Sequence, residues 1–381
     1  MRTARAVQAR HASVGRCRAD RRAQRLDVSP HPCMGVFFGR YVRNGPKGQG
    51  GNVFKGIKAA QPLRTVSSAL VLLAAMMMLV TGRAAAEEMQ PAATGRNVAK
   101  ALLLDAARAG ERIVAVGERG IVLYSDDEGA SWSQGQVPLD TTLTSVAFAD
   151  ERRGWATGHD AAILATQDGG ENWEVQLWEP DLDIPLLDVS FQSPTSGFAV
   201  GGRGNLFRTQ DGGATWTNQV LLTRDEFDSH LFGIGQAPSG SYFLASEQGV
   251  LYRSDDGGTN WVQLDSPYHG SFFGVTFAPE GRVIAFAMLG HVAVSDDNGE
   301  TWQMVPTGTD KSFMSATVTS AGNIVLAGLD GVVAITRDGG QSFEIHGQPS
   351  RRKFSRLLPT RDGAWLAFGE AGVKRITLDV K

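Results

Sequence analysis

Six octets in this chain share one pattern. They read SDDEGASW (125–132), TQDGGENW (166–173), TQDGGATW (209–216), SDDGGTNW (254–261), SDDNGETW (295–302) and TRDGGQSF (336–343). They begin 41, 43, 45, 41 and 41 residues apart. A unit of this length cannot bury a core by itself, and a period near 40–45 with several short strands per unit is the mark of a propeller.

Apolar segments flank every octet. Upstream lies a strand, a two-residue tip and a second strand that runs into the octet, as in IVAVGERGIVLYS (113–125) and VIAFAMLGHVAVS (283–295). A further strand precedes each pair from the second unit on, starting with LTSVAFAD (143–150) and ending with FSRLLPT (354–360). Apolar, β-branched and aromatic runs broken by Gly, Asp and Asn are strand-and-turn composition. The predicted fold is therefore all-β, a seven-bladed β-propeller over 87–381, each four-stranded antiparallel blade running from inner to outer strand. The seventh unit, AWLAFGEAGVKRIT (364–377), has no octet and no outer strand. An open sheet leaves an unpaired edge, so residues around 90–98 are expected to supply that strand and join the ring's two ends.

The third octet position is always aspartate: Asp127, Asp168, Asp211, Asp256, Asp297 and Asp338. A catalytic residue is needed once or twice, not six times around a ring. Asp bonds nearby backbone N–H groups in turns, and glycine two residues later supplies a positive φ at no steric cost. The small polar residue at position one is placed to bond across the turn, and the aromatic at position eight to pack between blades. The octets are thus read as structural staples on the lower outer rim. Each offers one or two carboxylates, too few for the roughly six to eight oxygen ligands that Ca²⁺ takes, so no metal and no cofactor is expected.

The N-terminal part is different in kind. Residues 1–66 carry 14 Lys/Arg against 2 Asp/Glu, whereas the chain from Glu87 onward carries 22 against 38. The apolar run Ala69–Val80, with Lys58 and Arg64 before it and Ala84-Ala85-Ala86 after it, fits a secretory signal peptide over 58–86, cleaved after Ala86. A retained membrane anchor is the alternative. Residues 1–57 are expected to be a disordered leader or a mis-set start, with translation beginning near Met34 or around Val53; an organelle-targeting extension also fits their Arg-rich, acid-poor composition. Both cysteines, Cys17 and Cys33, lie in this stretch, so the exported part has no disulfide and no thiolate chemistry. Its acidity opposes binding to nucleic acid or anionic lipid.

Recognition is expected on the opposite face, where the second-to-third strand tips meet the loops between blades. The candidate residues are Arg119, His159, Asp160, Arg203, Glu247, His291, Arg351 and Arg352, with WEPDLDIP (178–185) and LLTRDEFDSH (221–230) among the loops. Loops carry function more often than framework strands, though a merely solvated rim has the same composition. Arg351-Arg352-Lys353 is a basic cluster that suits a carboxylate-bearing partner or simply faces water.

The octet also resembles the Asp-box, or BNR repeat, of sialidases, which use a tyrosine nucleophile. Tyr124 and Tyr252 occupy equivalent strand positions and read as packing, Tyr242 lies in a strand, and only Tyr268 is on a face loop. There is no G-x-S-x-G elbow and no H-E-x-x-H. GGRGN (201–205) has the look of a phosphate loop but is a hairpin tip with no helix after it. A glycan-binding or sialidase-like propeller is the alternative to a non-enzymatic scaffold with no small-molecule substrate.

AVGERGIVLYSDDEGASW (115–132) and GWATGHDAAILATQDGGENW (154–173) closely resemble the photosystem II stability/assembly factor family. The resemblance covers about 95–381. It implies a seven-bladed propeller exported to the periplasm or, in a photosynthetic source, the thylakoid lumen. It further implies a non-enzymatic scaffold, read here as a monomer, that binds a membrane-protein client or its exported segment. In that family an arginine-rich patch forms part of the binding face; here Arg119 and Arg203 match it at tip positions.

Overall fold

The computed structural model describes residues 89–95, 98–223, 228–348 and 351–380. The expected signal peptide (58–86) and leader (1–57) lie outside these residues. No described helix is long and apolar enough to cross a membrane.

Seven antiparallel sheets follow one another along the chain, each from one contiguous segment. In blade one the strands run Leu103–Ala109, Arg112–Gly117, Val122–Ser125 and Ser133–Gln134, in that spatial order. Blades two to six repeat the order with four strands, and blade seven has three: Phe354–Pro359, Trp365–Gly369 and Gly372–Ile376. Every residue of the second strand is buried in blades two to seven, because that strand has a neighbouring blade on each side. Its continuous apolar reading, rather than an alternating one, follows from this two-sided burial.

The octets are staples, and all six have one geometry. The hydroxyl at position one donates to the aspartate Oδ1 at 2.7–2.9 Å and accepts the N–H of the glycine at position five at 2.7–3.0 Å. The residue at position seven then binds the aspartate twice. Its N–H donates to Oδ1 at 2.8–3.0 Å, and its side chain (Ser131, Asn172, Thr215, Asn260, Thr301 or Ser342) donates to Oδ2 at 2.6–2.8 Å. The role of position seven was not legible from the pattern, although a small polar residue stands there every time.

Glycine at position five has two reasons. Its φ is near +90°, as at Gly258 (φ 83), and its backbone lies against the preceding blade, on the second strand in five octets and on Gln176 of the outer strand at Gly213. A Cβ on Gly258 would run into the ring of Phe198, and one on Gly170 would press on Val114. The aromatic at position eight enters the same seam: Trp261 meets Phe198 edge-on with centroids 6.2 Å apart, and Trp302 packs in one cluster with Phe243. Each such ring removes roughly 150–250 Å² from water. The outer strand starts one residue after it, at Ser133, Glu174, Thr217, Val262, Gln303 and Glu344.

Ring closure differs from the expectation. Residues 89–95 form no strand and add nothing to blade seven. They run beside the outer edge of blade one, where the Ala92 N–H donates to the Val137 carbonyl at 3.0 Å and Gln134 Nε2 donates to the Ala93 carbonyl at 2.9 Å. The ring closes through side chains. Leu358, Leu366 and Phe368 of blade seven share a core with Leu103, Ile113 and Leu123 of blade one, and Val98 and Trp132 pack on its border. Ser355 Oγ donates to the Leu103 carbonyl at 2.7 Å, and Arg108 joins Glu128 at 2.8 Å and the Pro359 carbonyl at 2.7 Å.

The missing seventh octet is replaced by the C-terminal tail. Leu378 and Val380 are buried with Val325, Val333 and Ile335 of blade six, the place an octet aromatic takes elsewhere. Asn323 Nδ2 donates to the Val380 carbonyl at 2.7 Å and Arg337 Nη2 to the Asp379 carbonyl at 2.8 Å, holding the tail down.

Candidate partner-binding face

Inner strands start at the tip face, so tips and interblade loops meet there. Around blade one the Gly120 N–H donates to the Thr141 carbonyl at 2.7 Å and the His159 N–H to the Thr142 carbonyl at 2.9 Å, so one loop joins two successive tips. The octets lie at the other end, between third and outer strands.

In blades one to six the tip is a tight turn with a non-glycine residue in the left-handed region: Arg119 (φ 56), Asp160 (φ 58), Arg203 (φ 53), Gln248 (φ 56), Leu289 (φ 55) and Asp330 (φ 55). Left-handed backbone costs roughly 1–2 kcal/mol for a residue with a Cβ. The following glycine cannot relieve this, because it is itself left-handed at Gly120 and Gly204 and packs against a loop carbonyl. The turn therefore holds its middle side chain outward at a conformational cost. GGRGN is such a tip, with Asn205 Nδ2 donating to the Gly202 carbonyl at 2.8 Å.

The sequence-predicted residues all lie on this face but do not form one cluster. Arg119 and Arg203 are exposed, on blades one and three. His159 is half-buried, and desolvation, opposed by the charge of Asp160, pulls its imidazole below the ordinary value. Asp160 Oδ2 accepts the Thr141 hydroxyl at 2.8 Å. Glu247 is brought to His230, whose N–H donates to it at 3.3 Å and whose Nδ1 lies 3.5 Å away; this bond raises the His230 pKa. The Arg203 charge acts on the same imidazole in the opposite sense. His291 is exposed, stacked on Tyr268 with centroids 4.5 Å apart. Arg351 and Arg352 are exposed between blades six and seven, next to Lys353, which pairs with Glu370 at 3.1 Å.

Tyr268 is engaged rather than poised: its hydroxyl donates to the Met288 carbonyl at 3.2 Å and its ring packs on Phe272. Tyr242 and Tyr252 are core residues. Among the described residues no group of three or more His, Cys, Asp or Glu is arranged to hold a metal.

Sequence reasoning missed the channel at the ring's axis, a cavity of about 450 Å³ walled by inner strands. Its tip-face mouth is a collar of Leu104, Thr144, Leu187, Phe232, Phe273, Met314 and Ser355. Each follows the first residue of its strand, where the register shifts by one in every blade. This bulge turns the extra side chain into the channel. The signal was present: a charged residue stands third in three inner strands, at Asp105, Asp188 and Arg356.

The family model described as photosynthesis system II assembly factor YCF48 matches residues 125–184 and 176–373. The chain belongs to this family. In this member of the family the repeated aspartates are spent on turns. The chain is 32% identical over 91 residues to the chloroplastic photosystem II stability/assembly factor HCF136 of Cyanidioschyzon merolae, covering 22% of this chain and 21% of that protein. It is 37% identical over 43 residues to the photosystem II assembly protein Ycf48 of Thermosynechococcus vestitus, covering 11% and 12%. The aligned stretches thus span about a fifth or less of these relatives. Among solved structures, YCF48 bound to D1 peptide superposes with a TM-score of 0.61 at 22% identity, covering 78% of this chain and all of that one. YCF48 from Cyanidioschyzon merolae gives 0.59 at 17% identity, covering 73% and 96%.

Proposed function

We propose that this protein is an exported YCF48-family scaffold whose tip face holds an extended segment of a membrane-protein client during assembly. The observation that carries this reading is the tip face itself. Exposed Arg119, Arg203, Arg351 and Arg352 ring an apolar collar containing Phe232, Phe273 and Met314, on turns that hold their middle residue outward. Cations around an apolar mouth suit a peptide with a carboxylate and a large apolar side chain. The likeness to YCF48 bound to D1 peptide supports a client of this class. The apolar run before Ala86 supports an exported location, periplasmic or lumenal, and the protein acts as a monomer without a cofactor.

The test is crosslinked capture from detergent-solubilised membranes of the source organism. The wild-type protein is expected to recover an integral membrane protein, and the Arg119→Gly/Arg203→Gly variant to recover severalfold less at unchanged thermal stability. Equal recovery by both, or binding to a glycan array in place of any membrane protein, would defeat the reading.

A further inference from the structure

Ser145 stands between two carboxylates in the channel wall. Its Oγ is 2.9 Å from Asp105 Oδ2 and 2.9 Å from Asp188 Oδ1. The three residues hold matched positions on the inner strands of blades one, two and three, one step below the collar. A hydroxyl carries one hydrogen, so it can donate to only one of the two oxygens. The other contact sets lone pairs against each other unless a second hydrogen lies in it.

The neighbouring donors are already used. Val146 N–H donates to Asp105 Oδ2 at 3.0 Å, Val189 N–H to Asp188 Oδ1 at 2.8 Å and Ile234 N–H to Asp188 Oδ2 at 2.9 Å. Charge separates the two acids. Arg356 from blade seven faces Asp105, its Nε 3.6 Å from Oδ1, while its Nη1 donates to the Ala316 carbonyl at 3.2 Å. Among the described residues no ion pair joins Asp188 to a cation: Arg356 and Arg108, which line the same channel, pair with Asp105 and Glu128, Asp105 acts on Asp188 as a like charge, and the strands of blades two and four contribute Ser145 and Ile234. Desolvation, opposed by the Ile234 N–H and reinforced by the Asp105 charge, pushes the Asp188 carboxyl up to about 6.

We infer that the channel holds one shared proton, carried by Asp188 and donated to Ser145, which ties the first four blades together at the tip-face mouth and whose loss loosens that mouth. With the proton in place the chain is directional: Asp188 donates to Ser145, Ser145 donates to Asp105, and Asp105 faces Arg356. Ile234 extends the tie to blade four. Without the proton, two carboxylates compete for one hydroxyl hydrogen and one contact opens. The inference concerns the ring and does not depend on what binds the face.

Carboxyl-carbon NMR of the purified protein labelled at aspartate tests it directly. One resonance is expected to titrate near pH 6, to be absent in Asp188→Asn and to move in Ser145→Ala. The Val146 and Ile234 amides should exchange about tenfold faster above that midpoint than other inner-strand amides do over the same pH change. Asp188→Asn, whose amide donates permanently, should abolish that acceleration. If the asparagine variant does not fold, the wild-type titration and exchange still decide. Titration of every aspartate below about pH 5, or exchange at Val146 and Ile234 that tracks the other inner strands, would overturn the inference.

Discussion

Trp132 meets Phe368 edge to face, ring centroids 6.0 Å apart, across the one seam of the ring that no chain connection bridges. Apolar packing does there what a donated strand was expected to do. Phe368→Ala should therefore cost about 3–5 kcal/mol in urea unfolding. Amides of blades one and seven should then exchange before those of blades three to five. Deleting residues 1–97 should leave a cooperative transition, because the described residues 89–95 supply no strand; loss of the transition would restore the donated-strand account.

The tail that replaces the seventh octet predicts a second dependence on the chain end. Leu378 is 7% and Val380 9% exposed, on the flank of blade six. Truncation after Thr377 should destabilise the ring by about 1.5–3 kcal/mol for each side chain uncovered. Circular dichroism melts would show it, and Leu378→Met should retain most of the stability.

The staples can be tested one hydrogen bond at a time. Thr166 is buried, and its hydroxyl accepts the Gly170 N–H at 3.0 Å. Thr166→Val keeps the volume but leaves that N–H unpaired, so it should cost about 1–3 kcal/mol, whereas Thr166→Ser should be near neutral. Equal losses in both variants would mean that packing, not the hydroxyl, holds the turn.

Acid should unfold the protein in a defined window. The Ser131 side chain and N–H hold Asp127 at about 2, and Asn260 does the same for Asp256, both well below the ordinary 3.8. Depressed acids stabilise the fold above their unfolded value, and that contribution is lost as pH falls through about 2. Asp188 has the opposite sign: raised to about 6, it favours the folded state increasingly as pH falls from above 6 toward 3.8. Thermal stability should thus peak between about pH 4 and 6, falling gently above and steeply below. Scanning calorimetry across this range, with Asp188→Asn flattening only the upper limb, checks both halves.

Tip residues offer substitutions that strip a side chain without strain. Arg119 and Arg203 have φ of 56 and 53, and exposed Leu289 has 55. Glycine at any of them should leave stability unchanged or raise it by up to about 1 kcal/mol, since glycine pays nothing for that backbone. A fall in melting temperature would show that these side chains support the turn rather than merely project from it.

How the fold was readable, and where it was not, follows from the range of each interaction. An octet is local: hydroxyl, aspartate, glycine and position seven lie within seven residues, so their chemistry appears as pattern and its repetition as a ring. The tip face follows from the order of strands, and with it Arg119, Arg203 and the other rim residues. Asp188 was different. Within its own strand it is one acid among apolar neighbours, and its partners Ser145, Asp105 and Ile234 lie 43, 83 and 46 residues away.

What the amino-acid order determined by itself is the blade, because backbone hydrogen bonding, turn stereochemistry and side-chain alternation all act over a few residues. Ring closure and the channel were decided only by the tertiary structure. Leu378 becomes a seventh wedge because blade six leaves an apolar flank uncovered. Asp188 becomes a proton site because inner strands of separate blades converge on one axis, where two carboxylates meet one hydroxyl.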